Sequence, residues 1–198
     1  MVENVILLLL AAIPLMGSPG PATLSTAAAA SVFGIKRSLP YLTGIMLGTA
    51  TVIAIVATGI TGVLFAVPGV LPVLTVGAFG YILYLAYKIA TAPVLSEATG
   101  NAAPPTLLGG LFLGISNPKA FAAIGAVFSS FVVMPGEPVL DAVVKFTAML
   151  AIVTPINISW LLLGASLSRI LRHPRTGRAI NIVFAVLLVL SVALAVLV

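Results

Sequence analysis

Residues 16–23 read MGSPGPAT, and this stretch interrupts the first long apolar run of the chain. Its two prolines and two glycines are poor helix formers. A proline within a helix has no N–H to donate, and its ring crowds the carbonyl group four residues earlier. We therefore expect Pro19 and Pro21 to free the carbonyl groups of Leu15 and Gly17, which must then face protein, water or a ligand.

The composition is that of an integral membrane protein. Apolar residues make up 61% of the 198-residue chain and charged residues only 7%. Several uncharged runs reach about 20 residues, the length that crosses a hydrocarbon core of about 30 Å. The runs are continuous rather than alternating, which favours helices over barrel strands.

Breaks at charged or Pro/Gly-rich positions divide the chain into six predicted transmembrane helices. Their predicted bounds are 5–33, 39–67, 70–91, 106–133, 139–167 and 178–198. The polar, proline-rich segment 92–105 is predicted to be a linker within a single domain that covers residues 1–198.

A second interruption, GISNPKAF at residues 114–121, falls in the fourth predicted helix. Pro19 and Pro118 are 99 positions apart in a chain of 198, so each half (about 1–95 and 105–198) begins with a broken helix. With three helices in each half, the second half enters the membrane from the opposite side. In such inverted repeats the paired broken helices meet near the midplane and form a substrate site. The predicted fold is therefore an all-α integral membrane protein of two inverted three-helix repeats.

Basic residues predict the orientation of the chain, because cytoplasmic connections carry an excess of Lys and Arg. They cluster in alternate connections, which we assign to the cytoplasm: Lys36, Arg37, Lys88, Arg169, Arg172, Arg175 and Arg178. Both termini are then extracytoplasmic. The four arginines between the last two helices anchor this side or, alternatively, bind anionic membrane lipid. The net charge of +5 thus indicates orientation rather than a nucleic-acid partner.

Polar groups at membrane depth mark the candidate site. Lys119 lies half-way along the fourth predicted helix, where an ammonium costs about 2.5–3.5 kcal/mol to insert, so a cavity, a cage of carbonyl groups or a ligand should hold it. Asn117 either contacts a solute or caps a helix end. Asn157 follows Pro155 in a third expected break, TPIN, where it either lines the pathway or helps helices to pack. Freed carbonyl groups suit an ammonium and helix N-termini suit a carboxylate, so together they suit a zwitterion such as an amino acid.

Two pairs of glycines, each at a spacing of four, form faces of small residues on the second and fourth predicted helices. These pairs are Gly44 with Gly48, and Gly110 with Gly114. Such faces let helix backbones approach closely. They predict close packing within the bundle or, alternatively, the seam of a homodimer.

The motifs of this chain resemble those of the LysE/RhtB family of bacterial amino-acid exporters. The resemblance covers nearly the whole chain and rests on SPGPAT (18–23), GIKRSLPYLTGIMLG (34–48), GAFGYILYLAYK (77–88) and SNPKAF (116–121). It implies export of amino acids or similar small metabolites across the bacterial inner membrane, with protons as the coupling ion and no cofactor. Carried over to this chain, the two family motifs are Pro19, Gly20 and Pro21, and Asn117, Pro118 and Lys119.

One residue departs from the family pattern. Many relatives place an acidic residue after the glycine of the second span, whereas here Gly48 is followed by Thr49. No acidic residue is expected at membrane depth, unless the fifth span begins deep enough to carry Asp141 into the membrane. Proton coupling generally uses a titratable group in the pathway. The candidates are therefore Lys119 and Asp141, and uncoupled transport is the alternative.

Other classes of function fit the residues less well. A transporter of metal cations would need oxygen or nitrogen ligands, but the predicted spans lack carboxylates and the single histidine, His173, lies in a connection. An intramembrane enzyme would need clustered Asp, Glu or His, or a base beside a nucleophilic Ser, and no such cluster is apparent. The absence of Cys excludes a thiol electron carrier. A different solute on the same scaffold, a passive pore and a non-transporting subunit stay open as alternatives.

Overall fold

The computed structural model describes residues 2–59, 69–91, 103–167 and 174–197, and every regular element within these ranges is a helix. The seven helices are α1 (Val2–Gly17), α2 (Pro21–Ala57), α3 (Val70–Ala90), α4 (Leu107–Ser116), α5 (Pro118–Ser130), α6 (Pro138–Leu167) and α7 (Pro174–Leu197). The all-α prediction is confirmed for this part of the chain. The predicted linker lies, as far as residue 102, outside the described residues.

Among the described residues, α2 and α6 are each long and apolar enough to cross a membrane alone. Helices α4 and α5 make a third candidate span, which is bent by 51° at Asn117. Helix α1 is apolar but has only 16 residues before its own break. The structure thus confirms apolar helices of membrane-spanning length, while the count of six spans stays a prediction.

Helix α2 consists of two straight segments that meet at Gly34. This glycine has φ 77° and ψ 169°, a conformation that a residue with a Cβ rarely adopts. Residues 21–33 therefore form a short helix and residues 35–57 a longer one. The sequence placed the start of the second helix at residue 39, because Lys36 and Arg37 look like part of a connection; a single glycine makes that connection instead.

The short helix at residues 21–33 is the centre of the bundle. All residues from Pro21 to Val32 are buried, and most are Ala, Ser or Thr. Their small side chains let neighbouring helices approach the backbone: a Cβ added at Gly164 of α6 would lie 2.6 Å from the Cα of Ala27. The hydroxyl groups of this helix are satisfied locally, for example Thr26 Oγ1, which donates to the Ala22 carbonyl at 2.8 Å.

The two glycine faces meet each other inside the protein. A Cβ added at Gly48 of α2 would lie 2.7 Å from the Cα of Gly114 of α4, and one added at Gly44 would overlap the Leu107 backbone. Close packing within the bundle is thus confirmed for these glycines. Because the faces are used internally, a homodimer would need another surface.

The third expected break is wrong. Helix α6 continues through Pro155 from Pro138 to Leu167, so TPIN does not interrupt the fifth apolar helix. A proline within a membrane helix frees one carbonyl group, and neighbouring groups and small local adjustments can satisfy it without ending the helix. Unlike Pro19, Pro155 has no glycine or second proline within three residues to stop the helix. Pro118 has none either, but it follows Asn117, whose backbone is extended.

Asp141, which the predicted bounds 139–167 already include, lies in the first turn of α6. Its Oδ2 atom is 2.7 Å from Lys145 Nζ, one turn further along the helix. Its Oδ1 atom accepts hydrogen bonds from the backbone N–H groups of Val133 (2.6 Å) and Met134 (2.9 Å). Lys145 in turn donates to the Phe128 carbonyl at 3.0 Å. This pair therefore fastens α6 to the end of α5 and the connection between them.

Candidate functional site

The first break covers residues 18–20, between α1 and α2. The Leu15 carbonyl, which was expected to be freed, accepts a hydrogen bond from Ser18 Oγ at 3.0 Å. The Gly17 carbonyl accepts one from Trp160 Nε1 of α6 at 3.2 Å. Both carbonyl groups thus bind side chains rather than the helical N–H groups they would otherwise meet, as predicted from the prolines.

Lys119, two residues after the second break, forms hydrogen bonds with the backbone of the first break. Its ammonium donates to the Ser18 carbonyl at 2.5 Å and to the Pro19 carbonyl at 3.3 Å. These two carbonyl groups are acceptors of the kind that the sequence predicts for the Lys119 ammonium. Gly20 makes the approach possible, because a Cβ there would lie 2.7 Å from Lys119 Cδ and 3.0 Å from Nζ.

The N-terminus of α2 opens next to this lysine. Gly20 is extended (φ −166°, ψ 179°), and its N–H donates to Thr23 Oγ1 at 2.9 Å. A glycine at the cap and a proline at the first position leave the backbone of this end uncovered. The N–H groups of Ala22 and Thr23 lie in the first turn, where a helix offers them no carbonyl partner. Together with the helix dipole, they favour a negative charge at this point.

The second break is the single residue Asn117, between α4 and α5. Its backbone carbonyl accepts from the Ala120 N–H at 3.0 Å and thereby starts α5. Its side chain makes no capping hydrogen bond, so the interpretation of Asn117 as a side-chain cap is wrong. The amide oxygen Oδ1 is buried and has no hydrogen-bond partner among the described residues.

A small pocket, here called the central cavity, lies where the two breaks meet and has both polar and apolar walls. Four predicted site residues line it: Gly20, Asn117, Lys119 and Asn157. Its other walls include Met16, Ala22, Thr23, Thr49, Val153 and Ile156. The other three predicted residues, Pro19, Pro21 and Pro118, do not line the cavity. Pro21 and Pro118 are the first residues of α2 and α5, and the Pro19 carbonyl accepts a hydrogen bond from Lys119.

Asn157 repeats the situation of Asn117 on a third helix. Its Nδ2 donates to the Val153 carbonyl of its own helix at 2.9 Å, whereas its buried Oδ1 has no partner among the described residues. A buried polar atom left unpaired costs about 1–3 kcal/mol. Two buried amide oxygens without a described partner thus belong to residues that line the central cavity.

Two contributors to the site escaped the sequence analysis. Thr23 is three positions after Gly20, the spacing of a capping box, and that spacing could have identified it. Trp160 has no such local signal, because its hydrogen bond to Gly17 joins residues 143 positions apart. Thr49, noticed only as a departure from the family pattern, proves to line the cavity.

The central cavity has a single charged side chain among its described walls. Among the described residues that line the central cavity, Lys119 is the only ionisable one. Within the described ranges, no three His, Asp or Glu side chains lie close enough together to hold a metal ion. The site thus offers one cation, two free amide oxygens, two Thr hydroxyl groups and the N-terminal end of a helix.

These features define a class: a multi-pass helical membrane transporter with a small cavity, lined in part by polar side chains, where broken helices meet. Residues 13–198 match the LysE type translocator family, and the chain belongs to this family. A cysteine/O-acetylserine efflux protein of Salmonella choleraesuis (strain SC-B67) is 33% identical over 179 residues, which cover 87% of each chain. A protein of the same name from Escherichia coli (strain K12) is 32% identical over 174 residues, again 87% of each chain. No solved structure gives a significant match.

Family and relatives together establish the coarse function. The chain is a transporter that exports amino acids or similar small metabolites, not an enzyme. Its apolar helices and its family make it a multi-pass protein of the inner membrane.

Proposed function

We propose that this protein exports a small neutral amino acid through the central cavity. The relatives are named for cysteine and O-acetylserine. Both compounds are small zwitterions whose side chains carry no charge. The observation that carries the proposal is the set of groups on the cavity walls: one ammonium, two unpaired amide oxygens and, among the described walls, no carboxylate. These groups can bind the two charges of a zwitterion but cannot neutralise an additional positive charge.

A cationic amino acid would suit this cavity poorly. It would bring a second positive charge next to Lys119, and no carboxylate lines the described walls to balance it. An unpaired charge at membrane depth is costly, by about 2.5–3.5 kcal/mol on insertion scales. Selectivity against lysine and arginine follows from this imbalance.

A neutral amino acid finds a partner for each of its charges. Its carboxylate binds Lys119 and the free N–H groups at the start of α2, where the helix dipole also favours it. Its ammonium binds the amide oxygens of Asn117 and Asn157, which then have the donors they lack. Pro19, Gly20, Pro21 and Pro118 act through the backbone, by keeping the two helix ends open.

The cavity has a volume of about 30 Å³, enough for one or two water molecules and too small for an amino acid. We therefore assign this structure to a closed conformation. The hydrogen bonds from Lys119 to Ser18 and Pro19 join the two breaks in this state. A substrate carboxylate competes with those carbonyl groups for the same ammonium, so binding loosens the closed state.

We further propose six spans in two inverted halves, about 1–95 and 105–198. The two breaks meet in space, and the Asn4 side chain donates to the Val132 carbonyl at 2.8 Å, which joins the start of α1 to the end of α5. Each half then contributes one broken helix to the site. The basic residues favour cytoplasmic placement of the junction at Lys36 and Arg37, with both termini outside.

Lys119 is our proposed proton carrier. It is the one ionisable residue among the described walls of the cavity, and Asp141 is tied to Lys145 and to backbone N–H groups elsewhere. Coupling to the proton gradient then requires Lys119 to exchange its proton as the substrate binds or leaves.

Uptake into everted membrane vesicles tests the proposed function, since export from the cell appears there as accumulation. Labelled cysteine, O-acetylserine, serine, alanine, lysine and arginine are compared with and without an imposed pH gradient. We expect accumulation of small neutral amino acids, little of the cationic ones, and loss of accumulation on adding a protonophore. Preference for lysine or arginine would refute the substrate class, and accumulation insensitive to the protonophore would refute proton coupling.

A further inference from the structure

A second depression lies beside the central cavity, between α1 and α6. We call it the lateral groove. It is mostly apolar, has a volume of about 440 Å³, and its walls include Ile13 of α1 and Ile152, Pro155, Ile156, Ser159 and Trp160 of α6. It is thus much larger than the central cavity and lacks charged residues among its described walls.

Ile156 is the residue that both spaces share on α6. Successive residues of an α-helix are about 100° apart around its axis. Val153 and Asn157 therefore point together into the central cavity, Pro155 and Ser159 point into the groove, and Ile156 lies between the two directions. Its side chain is the partition on this face of α6.

Gly17 completes the partition from the side of α1. Its carbonyl is held by Trp160 Nε1 at 3.2 Å, and a Cβ added to it would lie 3.8 Å from Ile156 Cδ1. The wall is thus one aliphatic side chain against a backbone without a side chain. No second layer of described side chains is shared by the two spaces apart from Ile156.

We infer that Ile156 sets the upper limit on the side-chain size of the exported amino acid, by separating the central cavity from the lateral groove. The inference rests on the proposed function, because it concerns the side chain of a substrate whose charged groups bind at Asn117, Lys119 and Asn157. A side chain that grows from this point towards α6 meets Ile156 first. Truncation of Ile156 joins the cavity to an apolar space of suitable size, which then accommodates a leucine or methionine side chain.

The test compares initial rates of uptake into everted vesicles for serine, cysteine, valine, leucine and methionine. Ile156→Ala should raise the leucine-to-serine rate ratio about tenfold or more, the range that one or two methylene groups contribute in an apolar pocket. Ile158→Ala is the matched control, since Ile158 lies on the same helix, is exposed, and lines neither space. Ile156→Val, a smaller change, should shift the ratio in the same direction to a lesser extent and serves if the alanine variant inserts poorly.

A second substitution asks whether the groove itself receives the side chain. Ile13→Trp, made in the Ile156→Ala protein, fills the groove from the opposite wall and should return the leucine-to-serine ratio towards the wild-type value. If wild-type vesicles accumulate serine and cysteine but neither Ile156 variant changes the ratio, or if Ile158→Ala changes it equally, the inference is refuted and the proposed function stands. If wild-type vesicles accumulate no neutral amino acid, the proposed function is refuted and the inference with it.

Discussion

The ammonium nitrogen of Lys119 lies 2.5 Å from the carbonyl oxygen of Ser18, a residue 101 positions earlier in the chain. One partner belongs to the break of the fourth apolar segment and the other to the break of the first. A carbonyl group in a helix break and a partly buried cation would each be unfavourable without a partner, and here each satisfies the other. This contact therefore serves the stability of the fold and the chemistry of the site together.

Replacing Lys119 with methionine should abolish transport with little effect on stability. The variant avoids inserting an ammonium, worth about 2.5–3.5 kcal/mol. It leaves two carbonyl groups without a donor, which costs about 1–3 kcal/mol for each. Because these effects nearly offset each other, the melting temperature in detergent should change by no more than about 4 °C. Vesicle uptake and thermal unfolding are measured on the same preparation.

The control for that variant is Lys36→Met, which removes an exposed lysine at the junction of the two segments of α2. It should insert and transport like the wild type. Normal export by the Lys119→Met protein would show that Lys119 is a structural residue and would refute its assignment to the substrate site.

Arginine at the same position separates binding from proton coupling. The guanidinium of a Lys119→Arg variant keeps the positive charge and does not lose its proton in proteins. We expect exchange of labelled for unlabelled substrate across the membrane to persist, because exchange needs no net proton movement. Accumulation driven by an imposed pH gradient should be lost. Gradient-driven accumulation equal to that of the wild type would show that another group carries the proton.

Gly20 should tolerate no side chain, for a steric reason. Its backbone is extended, so alanine can adopt the conformation, but the new Cβ would lie 2.7 Å from Lys119 Cδ. The lysine must move, and a hydrogen bond to a charged group contributes about 1.5–3 kcal/mol. Since about 1.4 kcal/mol corresponds to tenfold, the uptake rate of Gly20→Ala should fall by about tenfold or more.

Gly125→Ala in α5 is the matched control for this substitution. A Cβ added at Gly125 meets no described atom within 4 Å, and the change favours helix formation by about 1 kcal/mol. Uptake by this variant should match the wild type. An equal loss in both glycine variants would mean that the effect is general rather than a displacement of Lys119.

The breaks and their pairing were predictable because they follow from local chemistry and spacing. Pro19 and Pro21 with their neighbouring glycines mark the first interruption and Pro118 marks the second, 99 positions after Pro19. The carbonyl cage around Lys119 was predictable for an energetic reason, since a buried ammonium needs acceptors. Its particular acceptors, Ser18 and Pro19, were not, because only the fold brings them together.

The errors arose where neighbouring structure decides between two local outcomes. Pro155 was expected to break its helix, yet the turns on either side continue through it. For Asn117 the sequence left a solute contact and a helix cap open; the side chain makes no capping hydrogen bond, and the backbone alone starts α5. The hydrogen bond from Trp160 and the partition at Ile156 depend on how α1 and α6 meet, which no local pattern records.

Asn157 should affect substrate affinity more than folding. Its Nδ2 bonds only within its own helix, to Val153, while its Oδ1 is unpaired among the described residues. An Asn157→Leu variant therefore loses little in the empty protein but lacks the acceptor for a substrate ammonium. The half-saturation concentration for uptake should rise about tenfold or more, as expected for a lost hydrogen bond to a charged group.

Asn181→Leu is the comparison for this variant. Asn181 on α7 is also buried, and its Oδ1 also lacks a described partner, but it does not line the central cavity. Its substitution should leave the half-saturation concentration near the wild-type value. Similar effects in both asparagine variants would argue that buried amides matter for packing and not for the substrate.

Asp141 should matter for stability and not for proton coupling. Its carboxylate holds Lys145 and two backbone N–H groups of the connection before α6, and both charged side chains are largely buried. In an Asp141→Asn variant the amide oxygen still accepts from the backbone, but Lys145 keeps only the Phe128 carbonyl and ring. Breaking a buried ion pair from one side costs about 3–5 kcal/mol, so the melting temperature should fall by about 6–20 °C. The exposed neighbour Glu137 supplies the control, since Glu137→Gln should leave the melting temperature unchanged.

Uptake per mole of folded Asp141→Asn protein should keep its dependence on the pH gradient. If that dependence were lost in a protein that still melts like the wild type, Asp141 rather than Lys119 would be the proton carrier.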